Sequence, residues 1–256
     1  MTKKRINDPA VLFQQEIQER VSSYPEDVSW QETSLKWLIQ AFQNKYMYNF
    51  SVLGRPIIQT PIEMVAMQEL IWSVQPDLII ETGIAHGGSL IFSASMLELN
   101  AACGGSQDAE VLGLDIDIRQ HNREAIEAHP MFKRISMIQG SSIDPKIIEQ
   151  VKAKAADKKR IMVCLDSNHT HDHVLAELEA YAPLVSVGSY CVVFDTIIED
   201  LPDDMFSDRP WSKGNNPKTA VWEYLKTHPE FEIDKRIQHK LLITVAPDGY
   251  LKRIRD

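Results

Sequence analysis

Residues 79–89 read Ile-Ile-Glu-Thr-Gly-Ile-Ala-His-Gly-Gly-Ser, and this stretch decides the fold. Residues 78–80 are apolar and β-prone, whereas residues 89–99 carry apolar side chains at helical spacing. A strand that passes through a glycine-rich turn into a helix is typical of a ligand-binding βα unit, because glycine lets a ligand approach the backbone and tolerates positive φ. The free N–H groups at the start of the helix then face the ligand.

The spacing of the glycines narrows the class of ligand. Gly83, Gly87 and Gly88 form a G-x-x-x-G-G pattern, which differs from the G-x-G-x-x-G of dinucleotide-binding enzymes. Glu81 stands two residues before the first glycine, and an acid there suits a cation such as the amino group of a methionine moiety. The pattern resembles the opening motif of S-adenosylmethionine-dependent methyltransferases, and the open alternative is a turn with a purely structural role.

A second acidic strand end supports a nucleoside ligand. The apolar residues 111–114 lead into Asp115-Ile116-Asp117. An acid at the end of the second strand of a βαβ unit is placed to accept hydrogen bonds from ribose hydroxyls. Asp115 lies directly at the strand end, whereas Asp117 could equally cap a helix that starts near Ile118.

A third strand is predicted at residues 135–139, followed by the polar residues Gly140, Ser141 and Ser142. We expect this loop to meet the adenine edge of the cofactor. The alternative is that Ser142 or Asp144 only caps the helix predicted around residues 145–155.

Length, charge and cysteine content limit the function classes. The chain has 256 residues, which fits one large α/β domain, and its net charge of -9 argues against a nucleic-acid partner. Its 3 cysteines are widely spaced, which predicts a reduced, cytoplasmic chain with Cys164 and Cys191 as small core residues. No apolar run approaches a membrane span in length, and residues 1–5 lack the apolar core of a signal peptide.

From Asp77 onward, predicted strands and helices alternate along the chain. This alternation predicts a Rossmann-like, doubly wound and mostly parallel sheet with helices on both faces. Residues 1–75 are expected to form a helical N-terminal extension or cap, in which residues 51–61 are a loop that folds over the cofactor. Residues 199–217 are a long irregular insertion, typical of a lid or binding loop. Residues 241–254 predict a hairpin that closes the sheet.

A third group of polar residues follows the strands predicted at residues 161–165 and 190–194. The ligand crevice of an open α/β sheet lies beyond the carboxyl ends of its strands. Asp166 and Asp195 could therefore converge on one hard divalent cation such as Mg²⁺. His169 could take a proton from a substrate hydroxyl at the same place.

The three histidines at 169, 171 and 173 allow two other interpretations. They could form a zinc or non-haem iron site, although a helix beginning near this point would bring His169 and His173 together and turn His171 away. They could also be ordinary surface residues, with Asp172 capping the helix.

Five segments in this order are similar to those of the cephalosporin hydroxylase family: residues 81–89, 114–117, 139–141, 165–169 and 193–195. Despite its name, this family resembles metal-dependent S-adenosylmethionine O-methyltransferases, including sugar methyltransferases of antibiotic and cell-surface polysaccharide pathways. The resemblance covers about residues 50–250 and implies that residues 76–256 are an S-adenosylmethionine-binding methyltransferase domain.

The resemblance also implies site residues. Contacts to S-adenosylmethionine are expected from Glu81, Thr82, Gly83, Gly87, Gly88, Ser89, Asp115, Ile116, Ser141, Ser142 and Asp166. Asp166 and Asp195 would hold a magnesium or similar ion, and His169 would be the general base. The chain departs from the family at Phe194, where many relatives have an acid, so one expected metal ligand is missing.

The predicted activity is methyl transfer to a hydroxyl of a sugar, glycan or natural-product precursor. An insertion with Trp211, Lys213, Asn215 and Asn216 would cover the acceptor, or else contact another copy in a homo-oligomer. Two other functions stay open: a cofactor-binding relative without activity, favoured by Phe194, and a metal-dependent hydroxylase that uses the histidine cluster.

Overall fold

The computed structural model describes residues 8–256, so the N-terminal basic stretch examined for a signal peptide lies outside the described residues. The helices are α1 (Pro9–Ser23), α2 (Val28–Gln43), α3 (Pro61–Val74), α4 (Gly88–Ala102), α5 (Gln120–Glu127), α6 (Pro145–Ala155), α7 (His171–Tyr181), α8 (Pro217–Tyr224) and α9 (Lys235–Leu241). The strands are β1 (Phe50–Val52), β2 (Arg55–Ile57), β3 (Leu78–Thr82), β4 (Glu110–Asp115), β5 (Ile135–Gln139), β6 (Ile161–Leu165), β7 (Tyr190–Val193), β8 (Phe231–Ile233) and β9 (Tyr250–Arg253).

The main sheet has 7 strands in the order β5-β4-β3-β6-β7-β9-β8. Strands β3 to β7 are parallel, and β9 runs antiparallel between β7 and β8. This arrangement confirms the predicted doubly wound, mostly parallel sheet. The chain order reverses at β3, whose neighbours are β4 and β6, and the ligand crevice of such sheets lies beyond the strand ends at that switch point.

Strand β3 explains why the central strands read as continuous apolar runs. Ile79 packs into the core on one face of the sheet, whereas Leu78 and Ile80 pack into the core on the other. A parallel strand covered by helices on both faces has no solvent side, so its sequence does not alternate. The predicted core cysteines Cys164 and Cys191 are likewise buried in β6 and β7, with free thiols.

A β-hairpin replaces the loop that was predicted at residues 51–61. Strands β1 and β2 pair antiparallel, and the turn between them includes Leu53 and Gly54 at positive φ. Pro56 misled the sequence interpretation, because proline is tolerated in an edge strand although it argues against a central one. The Arg55 guanidinium donates to the carbonyl oxygen of His86 at 2.6 Å, so the hairpin lies against the glycine turn.

The predicted C-terminal hairpin over residues 241–254 is wrong. Leu241 ends α9, and β9 pairs with β7 and β8 instead. Helix formation prevails at residues 235–241 because Asp234 caps α9 by accepting from the backbone N–H of Arg236. Residues 242–249 are irregular and reach β9 through a turn at Asp248, which has positive φ.

Three expected helix caps can be compared with the structure. Asp144, and not Ser142, caps α6: its side chain accepts from the backbone N–H of Lys146 at 2.8 Å. Asp117 does not cap α5, because that helix begins later, after Arg119. Asp172 does not cap α7, because it lies inside the first turn, after the N-cap Thr170. Within residues 8–256, none of the helices combines the length and apolar character that a membrane crossing needs.

Candidate active site

A cavity of about 520 Å³ opens at the carboxyl ends of the central strands, as expected for the switch point. Its walls come from the glycine turn, the ends of β4, β6 and β7, the segment from α2 through the hairpin, and the insertion at residues 199–217. The volume is within the range of ordinary small-molecule sites, about 300–1,000 Å³. The predicted site residues that line it are Gly83, Gly88, Ser89, Asp115, Asp166, His169 and Asp195, together with Trp211 of the insertion.

The glycine turn brings backbone segments closer than any side chain would allow. A Cβ atom at Gly83 would lie 2.0 Å from the carbonyl oxygen of Asp166, and φ there is +89°. A Cβ atom at Gly88 would lie 2.2 Å from the carbonyl oxygen of Pro56 in β2. Glycine at these positions therefore lets the end of β6 and the hairpin close against the turn.

Glu81 is buried at the end of β3, where its carboxylate accepts a short hydrogen bond from the Ser89 hydroxyl. Burial raises the pKa of Glu81 to about 7, and the Ser89 hydrogen bond offsets part of that effect. Glu81 lines a small pocket of about 10 Å³, which shares Ser89 and Asp166 with the main cavity. Thr82 is also buried, and its carbonyl oxygen accepts from the backbone N–H of Asp166 at the end of β6.

Asp115 is held firmly at the end of β4. Its Oδ2 accepts from the backbone N–H of Ile84 at 2.8 Å and of Ala85 at 3.3 Å, and its Oδ1 accepts from that of Asp117 at 3.0 Å. A carboxylate offers about four lone-pair sites, so three amides leave room for a further donor from the cavity. The neighbouring Ile116 is exposed.

Ser141 and Ser142 are not among the described residues that line the cavity. Ser142 is buried, with its hydroxyl 3.1 Å from Nε2 of His173 and its carbonyl oxygen accepting from the Tyr181 hydroxyl. The Ser142 side chain is therefore engaged with α7, and its contact with adenine stays a prediction.

Asp166, His169 and Asp195 converge, as the sequence predicted. One potential ligand atom from each lies within 4.8 Å of the others. Nε2 of His169 lies 3.1 Å from Oδ2 of Asp195, which adopts a left-handed backbone conformation with φ 55° at the exit of β7. Burial, followed by the negative charges of Asp195, Glu81 and Glu63, raises the pKa of Asp166 well above its usual range.

The other two histidines turn away, so the structure does not support the alternative of a three-histidine metal site. His171 contacts α8, with Nδ1 2.8 Å from the Thr219 hydroxyl and Nε2 3.3 Å from Glu223. His173 points to the opposite side of α7, toward Ser142. Because α7 begins at His171, helical spacing separates these two rings instead of aligning them on one side of a strand.

The insertion at residues 199–217 covers the side of the cavity that contains His169. The Trp211 ring meets the His169 ring edge to face, with centroids 4.8 Å apart, and the Arg209 guanidinium lies 5.4 Å from the Trp211 centroid. Phe206 makes a similar contact with Phe42 of α2 at 5.9 Å.

The polar residues expected to cover the acceptor have other contacts. Asn215 accepts from the backbone N–H of His171, Asn216 caps α8, and Lys213 lies 4.0 Å from Asp203. Of the four insertion residues named from the sequence, Trp211 is the one that lines the cavity.

Sequence reasoning missed Glu63, a fully buried carboxylate behind the site. Its oxygens accept from the hydroxyls of Thr60 and Thr244 and from the backbone N–H of Val245, a residue of the cavity wall. Burial raises the pKa of Glu63 to about 7. The signal was the pattern Thr60-Pro61-x-Glu63, a helix-start signature whose acid here reaches into the core.

Comparison with known proteins gives the following matches. A family profile described as Rhamnosyl O-methyltransferase/CmcI matches residues 44–254. The Rhamnosyl O-methyltransferase of Mycobacterium tuberculosis (strain ATCC 25618 / H37Rv) is 32% identical over 191 residues, covering 73% of this chain and 71% of that protein. The protein of the same name from Mycobacterium leprae (strain TN) is 28% identical over 223 residues, covering 85% of this chain and 88% of that protein.

Solved structures show the same fold. A structure of CmcI with Mg and SAM has a TM-score of 0.56 at 18% identity, covering 81% of this chain and 78% of that chain. CalS11, described as a TDP-rhamnose 3'-O-methyltransferase, has a TM-score of 0.53 at 15% identity, covering 91% and 96%.

Proposed function

The chain belongs to the Rhamnosyl O-methyltransferase/CmcI family, and from this membership we propose that it transfers the methyl group of S-adenosylmethionine to a hydroxyl of a sugar. The observation that carries the proposal is the convergence of Asp166, His169 and Asp195 in the cavity that the glycine turn also lines. A methyl-donor site and a hydroxyl-activating site thereby share one cavity.

The cofactor is proposed to bind along the glycine turn. Its ammonium and sulfonium groups are cationic, and the acids Glu81, Asp115 and Asp166 lie at the three adjacent strand ends. Asp115 is proposed to accept from a ribose hydroxyl with the lone pair that its three amide donors leave unused. A bound ammonium group would also favour the ionised form of Glu81, which burial disfavours in the unliganded protein.

A divalent cation fits the acids at the ends of β6 and β7. The negative charges of Asp195, Glu81 and Glu63 all act on Asp166, and a hard cation bound by carboxylate oxygens would relieve this repulsion. Asp166 and Asp195 would hold it, with water in place of the acid that the family resemblance expects at Phe194. Such an ion would supply charge stabilisation and orientation for the acceptor hydroxyl.

His169 is proposed to take the proton from that hydroxyl. Asp195 lies 3.1 Å from Nε2 of His169, so it can orient the ring and stabilise the imidazolium that forms. The hydroxyl oxygen then attacks the methyl carbon in line with the breaking bond to sulfur, and S-adenosylhomocysteine leaves. Holding the two reactants in line supplies much of the remaining rate enhancement.

The acceptor is proposed to occupy the part of the cavity beneath the insertion. Trp211 offers an aromatic face beside His169, and Arg209 and Phe206 continue this wall. An aromatic ring with polar neighbours suits a carbohydrate, which has both apolar C–H faces and hydroxyls. Similarity to a Rhamnosyl O-methyltransferase and to a TDP-rhamnose 3'-O-methyltransferase favours a rhamnosyl acceptor.

The cellular location and the oligomeric state of the protein are also proposals. Free Cys103, Cys164 and Cys191 support a reducing, cytoplasmic environment. Exposed Trp37 of α2 and Trp72 of α3 support association of copies into a homo-oligomer.

The test combines binding with turnover. Calorimetry should show micromolar S-adenosylmethionine binding that is lost in Asp115→Ala. The control is Asp117→Ala, which removes a neighbouring exposed acid and should keep the binding. Mass spectrometry should then detect addition of one methyl group to a rhamnose-containing acceptor, such as a nucleoside-diphosphate rhamnose or an aryl rhamnoside, with magnesium present. Absence of cofactor binding in the wild type would refute the proposal. Binding without transfer to any sugar acceptor would favour the inactive relative.

A further inference from the structure

We propose that His173 is a positioning residue that joins the loop after β5 to the loop after β6, and thereby couples the cofactor end of the site to its catalytic end. The effect on cofactor binding rests on the proposed function, whereas the link between the loops does not. His173 touches neither the cavity nor the catalytic cluster, so it acts through other residues.

The geometry places one ring nitrogen between two loops. Nε2 of His173 lies 3.1 Å from the hydroxyl of Ser142 and 3.1 Å from the hydroxyl of Ser167. Ser142 follows β5 and Ser167 follows β6, and these strands are separated in the sheet by β4 and β3. The contact therefore joins two strand ends that do not neighbour each other in the sheet.

The hydrogen bonds around Ser167 determine where the proton of His173 lies. The Ser167 hydroxyl donates to Oε1 of Glu177 at 2.7 Å, so its oxygen is left to accept from Nε2–H of His173. Nε2 also lies 3.5 Å from the same Glu177 oxygen. The ring thus acts as a donor on the side that faces both serines.

Glu177 lies one helical turn after His173 on α7. Its side chain is fully buried in α7, and its Oε2 has no hydrogen-bond partner within the described part of the chain. A buried carboxylate needs a nearby cation or several donors, since burial of an unpaired charge is expensive. His173, one helical turn earlier, places its Nε2 3.5 Å from Oε1 of this carboxylate while still reaching the two loops.

Each loop held by His173 also contacts the proposed site. In the first loop, the backbone N–H of Gly140 donates to the carbonyl oxygen of Asp115, the proposed ribose ligand. In the second, Ser167 follows Asp166 directly, and both line the cavity. Loss of the link should therefore disturb Asp115 and Asp166 together.

The first experiment needs no ligand. Amide hydrogen exchange of the unliganded protein should show faster exchange, on the order of tenfold, at Gly140, Asp144 and Asp166 in His173→Ala, because all three amides are hydrogen-bonded in these loops. His173→Gln keeps a donor at the same reach and should restore most of the protection. The matched control is His171→Ala, on the same helix but facing α8, which should leave residues 140–144 unchanged. Unchanged exchange in either loop of His173→Ala would overturn the inference.

The second experiment measures coupling through cofactor affinity. Ser142→Ala and Ser167→Ala should each raise the Kd for S-adenosylmethionine. If the link couples the two loops, the fold increase in the double variant should be at least about threefold smaller than the product of the two single increases. In the His173→Ala background the same two changes should combine independently. Independent effects in the wild type would refute the coupling, whereas absent binding in the wild type refutes the proposed function and leaves the exchange experiment to decide the link.

Discussion

The two halves of the site are held in different ways. In the proposed cofactor half, residues 81–89 and 115–117, the Asp115 carboxylate accepts from backbone amides of the glycine turn, and Glu81 accepts from the Ser89 hydroxyl at the start of α4. In the proposed acceptor half, which comprises Asp166, His169, Asp195 and residues 199–217, the contacts join side chains that are distant in the sequence, such as His169 with Trp211.

This difference teaches which parts of such a site tolerate change. A network of backbone donors survives most side-chain substitutions and fails when the backbone itself is displaced. A network of side chains can be altered one member at a time. The following experiments test this contrast.

The largest effect is expected from Gly83→Ala. The added Cβ would meet the carbonyl oxygen of Asp166 at 2.0 Å in a backbone conformation that L residues rarely adopt, so both halves should be displaced. We expect loss of detectable cofactor binding by calorimetry and a large fall in the melting temperature. Gly104→Ala is the matched control, because its φ is also positive at 96° but nothing lies within 4 Å of its Cβ. That control should lose only about 1–2 kcal/mol of stability and keep the cofactor.

The next largest effect is expected from His169→Ala. Removal of a general base lowers turnover by about 10²- to 10⁴-fold. Cofactor affinity should change by less than about threefold, because the hydrogen bonds that hold Glu81 and Asp115 do not involve His169. The check is kcat by mass spectrometry together with Kd by calorimetry. A comparable loss in both quantities would show that the halves are not separable.

A smaller effect is expected from pH through Glu81, whose pKa is raised from 4.5 to about 7 by burial. A cationic cofactor binds best to the ionised form, so affinity should rise by about tenfold between pH 6 and pH 8, with proton release at the lower pH. The stability of the unliganded protein should change with pH in the opposite direction. The folded state holds the Glu81 proton more tightly than the unfolded state, so the contribution of Glu81 to the free energy of unfolding declines as pH rises from 4.5 through 7.

Calorimetry in buffers of different ionisation enthalpy would measure the released protons. Glu81→Gln cannot release a proton, so its affinity should be lower and nearly independent of pH across this interval. A wild-type profile that is flat from pH 6 to pH 8 would contradict the role proposed for Glu81.

The smallest effect is expected from Trp211→Ala. Loss of the aromatic wall should raise the acceptor KM by about fivefold, since one apolar contact contributes roughly 1 kcal/mol. The cofactor Kd should stay unchanged, and Trp222→Ala, which alters an exposed tryptophan on α8, should change neither quantity. If Trp211→Ala changed only the cofactor Kd, Trp211 would belong to the cofactor half and the proposed acceptor contact would be contradicted.

The sequence predicted the cofactor half more completely than the acceptor half. The family and the O-methyltransferase class are confirmed, and so is the fold. The positions of Glu81 and Asp115 followed from local rules, because each acid stands at the end of an apolar strand and parallel strand ends meet at one edge. The domain boundary near residue 76 and the individual site roles remain predictions.

The errors concern features that distant contacts decide. His173 turns toward Ser142 and His171 toward Thr219, which lie 31 and 48 residues away in the sequence. The hairpin β1–β2 closes on Gly88 and His86, residues that lie far ahead of it in the sequence. No local pattern contains that information.

The position of this hairpin has a consequence for the order of events during turnover. Arg55 holds it against the glycine turn, so one end of the cavity is walled by β2 while the other lies beneath the insertion. We therefore expect a cofactor on the turn to lie deeper than an acceptor beneath Trp211, so that the bound acceptor would block its exit to the solvent. Steady-state kinetics should therefore be ordered, with S-adenosylmethionine entering first and S-adenosylhomocysteine released after the methylated sugar, so that this product competes with the cofactor but not with the acceptor.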